Sequence, residues 1–156
     1  MTETNHPEEQ LKQLGVELPA VAAPVAAYVP AVTQGTLVYT SGQLPFVDGA
    51  LPATGKVGAE VSPEQAKELA ARCAVNALAA VKSVIGDLAR VTRVVKVVGF
   101  VSSDPSFTGQ PQVINGASEL LGEVFGEAGV HARSAVGVAV LPLDSPVEVE
   151  IVVEYA

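Results

Sequence analysis

Near its C-terminus the chain reads Val147-Glu148-Val149-Glu150-Ile151-Val152-Val153-Glu154, and apolar and acidic residues alternate strictly at the start of that run. Period-two alternation specifies a β-strand with one face in a core and the other toward water. Such a sheet needs cover on one side, and two segments are suited to supply it. Ser62-Pro63-Glu64-Gln65 combines an N-cap, a proline at the first helical position and a capping-box glutamine at the third. Ala66, Leu69, Ala70, Cys73, Ala77, Val81 and Ile85 follow at helical spacing, and Gly86 is the expected C-terminal cap. Gln112–Phe125 carries a second apolar stripe, ended by Gly126.

The remaining segments read mostly as strands and loops. Thr36–Thr40 is rich in β-branched and aromatic residues. Arg93–Ser102 is almost continuously apolar and reads as a strand covered on both faces. Ser134–Leu141 sets Val136, Val138 and Val140 on one face and Ala135, Gly137 and Ala139 on the other. A hairpin across Pro142–Pro146 would bring position 133 near position 154 and position 136 near position 150. Asp104–Gly109 reads as a loop, and Pro7–Leu14 as a short helix with Leu11 and Leu14 on one side. From Pro19 to Pro30 proline recurs every five or six residues, which favours an extended segment over the surface. The order predicts an α+β fold with both long helices on one sheet face. Its 156 residues fit one domain, residues 19–156, preceded by an N-terminal extension, residues 1–18.

Charge and cysteine usage narrow the function classes. The net charge is −8, which argues against gripping nucleic acid through a broad basic surface. Cys73 is the single cysteine, so no internal disulfide and no multi-cysteine metal site can form. His6 and His131 are too few and too isolated for a metal site. The polar, acidic start lacks the features of a signal peptide, and prolines interrupt the charge-free stretch from Leu18 to Val47, so no membrane partner is expected. A cytoplasmic protein is the expectation.

After Lys96 the only basic residue is Arg133, against eight acids. A guanidinium stays charged and its planar fork binds a carboxylate bidentately. Arg133 is therefore either the anchor for a small anion or the partner of a structural glutamate. Glu148 and Glu150 share a strand face and repel each other. They either line a solvated face, or one is partly enclosed, holds its proton longer and activates a water. Thr40-Ser41-Gly42-Gln43 reads either as a strand end or as the wall of a polar pocket. Tyr28 is either a lid residue or a packing anchor, and Asn115, at the start of the second helix, is equally open. Cys73, on an apolar stripe, reads as core.

Pro24–Gln43 (PVAAYVPAVTQGTLVYTSGQ) and Ala132–Glu150 (ARSAVGVAVLPLDSPVEVE) resemble the two signatures of the RidA/YjgF family of enamine/imine deaminases, earlier labelled endoribonuclease L-PSP. The resemblance implies a chorismate-mutase-like α+β fold, with one mixed sheet and two helices on one face. It also implies a homotrimer around a central β-barrel, with sites in the clefts between subunits. Arg133 matches the family's carboxylate-binding arginine and Glu148 the glutamate associated with the catalytic water. Tyr28, Ser41, Gly42 and Asn115 match cleft residues. Ala135 stands where well-studied members often carry cysteine, so only its backbone carbonyl is offered to the water. The implied chemistry is hydrolysis of 2-imino or 2-aminoacrylate-type acids to 2-keto acids and ammonia, without metal or organic cofactor. The alternatives are a non-catalytic small-carboxylate-binding or chaperone-like trimer and, from the older label, an endoribonuclease. The extension and the segment DPSFTGQPQV, longer than in the short deaminases, resemble a distinct, longer subfamily.

Overall fold

The computed structural model describes residues 6–21 and 27–156. The elements run α1 (Pro7–Gln13), β1 (Ala31–Gln34), β2 (Leu37–Thr40), α2 (Pro63–Ile85), β3 (Val91–Ser102), α3 (Gln110–Phe125), β4 (Ala132–Val138) and β5 (Val147–Tyr155). One five-stranded sheet has the order β1-β2-β5-β3-β4. It is mixed: β3 and β4 are parallel, and the other neighbours are antiparallel. The two long helices cover one face, as the alternation in residues 147–154 requires.

The start of α2 forms as its residues dictate. Ser62 Oγ accepts a hydrogen bond from the Gln65 backbone N–H at 3.1 Å, Pro63 opens the helix and Gly86 closes it at φ 88°. From Cys73 to Val81 every residue of α2 is buried, so this stretch is enclosed all round and not only along one stripe. Helix α3 starts at Gln110, two residues before the expected Gln112, and packs against α2 at Gly116. A Cβ there would collide with the Lys67 carbonyl, so glycine sets the distance between the helices. Val147, Val149, Ile151 and Val153 of β5 are all core residues, while Glu148 and Glu150 lie on the other face.

Four expectations change. Strand β1 precedes β2, which starts at Leu37 and not at Thr36, and pairs with it across the two-residue turn Gly35-Thr36. Strand β3 alternates between buried and accessible positions, so one chain covers only its helix-side face. Leu11 is fully buried in the common core, but α1 ends at Gln13 and leaves Leu14 exposed. The segment read as extended from Pro19 to Pro30 falls partly on residues 22–26, outside the described residues.

The fourth change matters most for the site. Strands β4 and β5 do not form a hairpin. Arg133 is in register with Val97 of β3, and Val97 with Ile151 of β5, so β3 lies between them. The reason is topological. A strand, a long helix and a strand form a crossover unit whose two strands lie parallel, and α3 joins β3 to β4 in this way. The 139–146 connection then passes over the end of β3. It is held by hydrogen bonds from Gly55 N to Asp144 O and from Ser102 N to Pro146 O, both at 2.9 Å.

Candidate active site

The expected site residues fall into two groups. The first contains Glu148, Gly42, Tyr28 and Ser41. Glu148 lies half-buried on the face away from the helices, opposite Phe100. Its carboxylate lies directly over Gly42. A Cβ at position 42 would overlap Oε1 and lie 2.8 Å from Cδ, so only glycine leaves space for this rotamer. Burial raises the Glu148 carboxyl above its ordinary value of 4.5, and the charge of Glu150 adds to the rise. Ser41 does not face the cavity beside this glutamate. Its hydroxyl donates to Val29 O at 2.6 Å and its N–H to Pro30 O at 2.8 Å. Ser41 thereby fastens the segment behind Tyr28, and Tyr28 lines the cavity with Gly42 and Glu148. Cys73 is fully buried, and desolvation pushes its thiol well up, with the Glu148 charge adding to this. That leaves it unreactive, in keeping with its reading as core.

The second group contains Arg133, Asn115 and Ala135. Arg133 and Ala135 are in register with Val97 and Gly99 of β3 and share their helix-side face. One nitrogen of Arg133, Nη1, donates to Asn115 Oδ1 at 2.8 Å and to Ser118 Oγ at 3.2 Å. Asn115 and Ser118 are three apart on α3 and so present their side chains together. Behind them, His131 approaches Gly129 O through Nδ1 at 2.6 Å and Ser118 Oγ through Nε2 at 2.9 Å. A carbonyl only accepts, so in the neutral ring Nδ1 carries the proton and Nε2 accepts from the serine. The Ser118 hydroxyl hydrogen is thus committed to His131, and its lone pairs face Arg133. Among the described residues, no carboxylate pairs with Arg133 and its Nη2 and Nε have no acceptor. The reading of Arg133 as partner of a structural glutamate finds no support there.

The sequence reading passed over Ser118 and considered His131 only as a metal ligand. The signal for Ser118 was its i+3 spacing from Asn115. The reading also missed what encloses the cavity at Glu148: the end of the extension, the Leu44–Phe46 segment and the α2 side chains Arg72 and Asn76. No sequence pattern marks these, because their proximity depends on the tertiary fold. Among the described residues, no helix is long and apolar enough to cross a membrane.

Chemically, the first group offers a carboxyl of raised proton affinity, and the second offers an uncompensated guanidinium edge. The comparisons place these groups in a family context. Residues 8–155 match the family described as "YjgF/chorismate_mutase-like, putative endoribonuclease". Protein TCP17 of Trypanosoma cruzi is 48% identical over 145 residues, which cover 92% of this chain and 91% of TCP17. Among solved structures, Atu1372 of Agrobacterium tumefaciens, described as of unknown function, superposes with a TM-score of 0.91 at 47% identity, covering 98% of this chain and 95% of that one. A protein of Shewanella oneidensis described as a "putative endoribonuclease" superposes with a TM-score of 0.93 at 35% identity, covering 96% and 99%. With the match spanning nearly the whole chain and the mixed α+β sheet agreeing with it, the chain belongs to the YjgF/RidA family.

Proposed function

We propose that the protein hydrolyses 2-imino acids and their 2-aminoacrylate tautomers to 2-keto acids and ammonia. The observation that carries this reading is that Arg133 is held by neutral partners, with no carboxylate paired to it among the described residues. A structural arginine would be neutralised, whereas an anchor for a substrate carboxylate must be left open.

In the proposed reaction the Arg133 fork binds the substrate carboxylate. Glu148 takes a proton from a water as the water oxygen bonds to C2, and passes that proton to the imine nitrogen. The carbinolamine then breaks its C–N bond: its hydroxyl proton passes through Glu148 to the departing nitrogen, the hydroxyl oxygen becomes the keto oxygen and ammonia leaves. The imine carbon is already electrophilic, so positioning and proton transfer suffice.

In one chain Arg133 and Glu148 lie on opposite faces of the sheet, so the proposed site is completed by a second copy, Arg133 of one facing Glu148 of the next. The open sheet face supports self-association, since Val32, Tyr39 and Val136 are 50%, 44% and 44% exposed on it. A homotrimer that buries this face in a central barrel is part of the proposal, as is a cytoplasmic location.

The test is ammonia release from 2-iminobutanoate generated in situ. The wild type accelerates it and Arg133→Ala does not; equal rates would overturn the reading. Ala135, which offers only a backbone carbonyl, favours a second reading, a small-carboxylate binder without turnover. Ligand-dependent stabilisation of the wild type, lost in Arg133→Ala and without ammonia release, is its signature. Endoribonuclease activity, the description given to the Shewanella relative, fits poorly with a net charge of −8.

A further inference from the structure

We propose that the cavity beside Glu148 receives a long apolar side chain of the substrate, with the end of the N-terminal extension as one of its walls. This rests on the deaminase reading and names the class of imino acid the site would take. The cavity measures about 850 Å³. Pockets of roughly 300–1,000 Å³ enclose drug-sized ligands. A four-carbon imino acid would leave most of this volume to water.

The walls are mainly apolar. Leu18 at the end of the extension, Pro19, Leu44, Phe46 and Ala79 of α2 line it. They are also fixed in place. The Asn76 amide donates to Leu44 O at 2.9 Å and Phe46 O at 3.2 Å, and Arg72 Nε donates to Phe46 O at 2.9 Å. In the extension, α1 is fastened through Glu8, which pairs with Lys82 and accepts from Leu88 N, and through buried Leu11. The segment that carries Leu18 therefore starts from an anchored helix.

Charge at the cavity restricts the class further. Among the described residues Arg72 is its only cation, against Glu17, Asp48 and Glu148. A second carboxylate on the substrate side chain would meet a surplus of negative charge. The class is thus 2-imino acids with neutral, apolar side chains of four or more carbons.

The test measures kcat/KM for 2-imino acids generated in situ from alanine, 2-aminobutyrate, norvaline and norleucine. The expected result is a rise of about fourfold per added methylene, the transfer free energy of one buried CH₂. In Ala79→Leu, which narrows the cavity, the rise disappears. In Leu18→Ala the longest substrate loses most. A wild-type series that is flat or falls with length overturns the inference, as do variants that change all four substrates equally. Absence of acceleration on every substrate, the shortest included, overturns the deaminase reading itself and the inference with it.

Discussion

Arg133 and Glu148 point to opposite faces of the same sheet, with the whole width of β3 between their strands. Each is prepared locally for a different task. Arg133 is oriented by α3, and Glu148 is seated over Gly42 with its proton affinity raised. Neither group can serve the other within one chain.

Ser118 orients Arg133 through a hydroxyl whose hydrogen is committed to His131. Ser118→Ala removes one of two acceptors on Nη1 and loosens the fork. A hydrogen bond to a charged group is worth about 1.5–3 kcal/mol, so KM should rise about tenfold or more while kcat changes little. Ser118→Thr, which restores the hydroxyl, should recover most of the loss. Steady-state kinetics on one imino acid checks both.

Gly42→Ala places a Cβ where the Glu148 carboxylate sits. The chain should still fold, because the strand end is only partly buried and the glutamate can swing away. Catalysis should fall by about a hundredfold, the low end of what a positioned acid–base group supplies. Circular dichroism and kcat/KM on the same sample separate the two effects.

The raised pKa of Glu148 predicts a stability trend. A carboxyl that binds its proton more tightly when folded contributes stability below its unfolded value, near 4.5, and loses it as pH rises through the folded value. Glu148→Gln removes this titration. The variant should therefore gain stability relative to wild type as pH climbs from 4 to 8, in urea-midpoint measurements. A constant difference across that range would contradict the assigned cause.

Gly116→Ala drives a methyl into the Lys67 carbonyl and forces α2 and α3 apart. Overpacking of this kind costs about 1–3 kcal/mol, and a rigid backbone neighbour puts the expected loss toward the upper end. Denaturant unfolding measures it, and a change below half a kcal/mol would show that the helices can slide.

Much of this fold was legible where one local rule decides the outcome. Ser62, Pro63 and Gly86 fixed the ends of α2, and the alternation around Glu148 and Glu150 placed both on the face away from the helices. Pairing was harder, because 139–146 is short enough for a hairpin yet joins strands that are not neighbours. The α3 crossover decides that question, and it acts between residues 102 and 132, far from the turn. Strand β1 escaped notice because the prolines before it obscured the Gly35-Thr36 turn. At the site, Arg133 and Glu148 could be singled out by charge and position. His131 and the cavity walls could not, since their contacts depend on how helices pack, and Ser118 is marked only by its i+3 spacing from Asn115.

The most direct measurement mixes two inactive variants. Arg133→Ala and Glu148→Gln, unfolded and refolded together in equal amounts, should recover activity that neither shows alone. In a closed ring, chance pairing gives about a quarter of the sites one intact arginine facing one intact glutamate, and so about a quarter of wild-type activity. No recovery in the mixture, beside an active wild type treated identically, would contradict a site shared between copies of the chain.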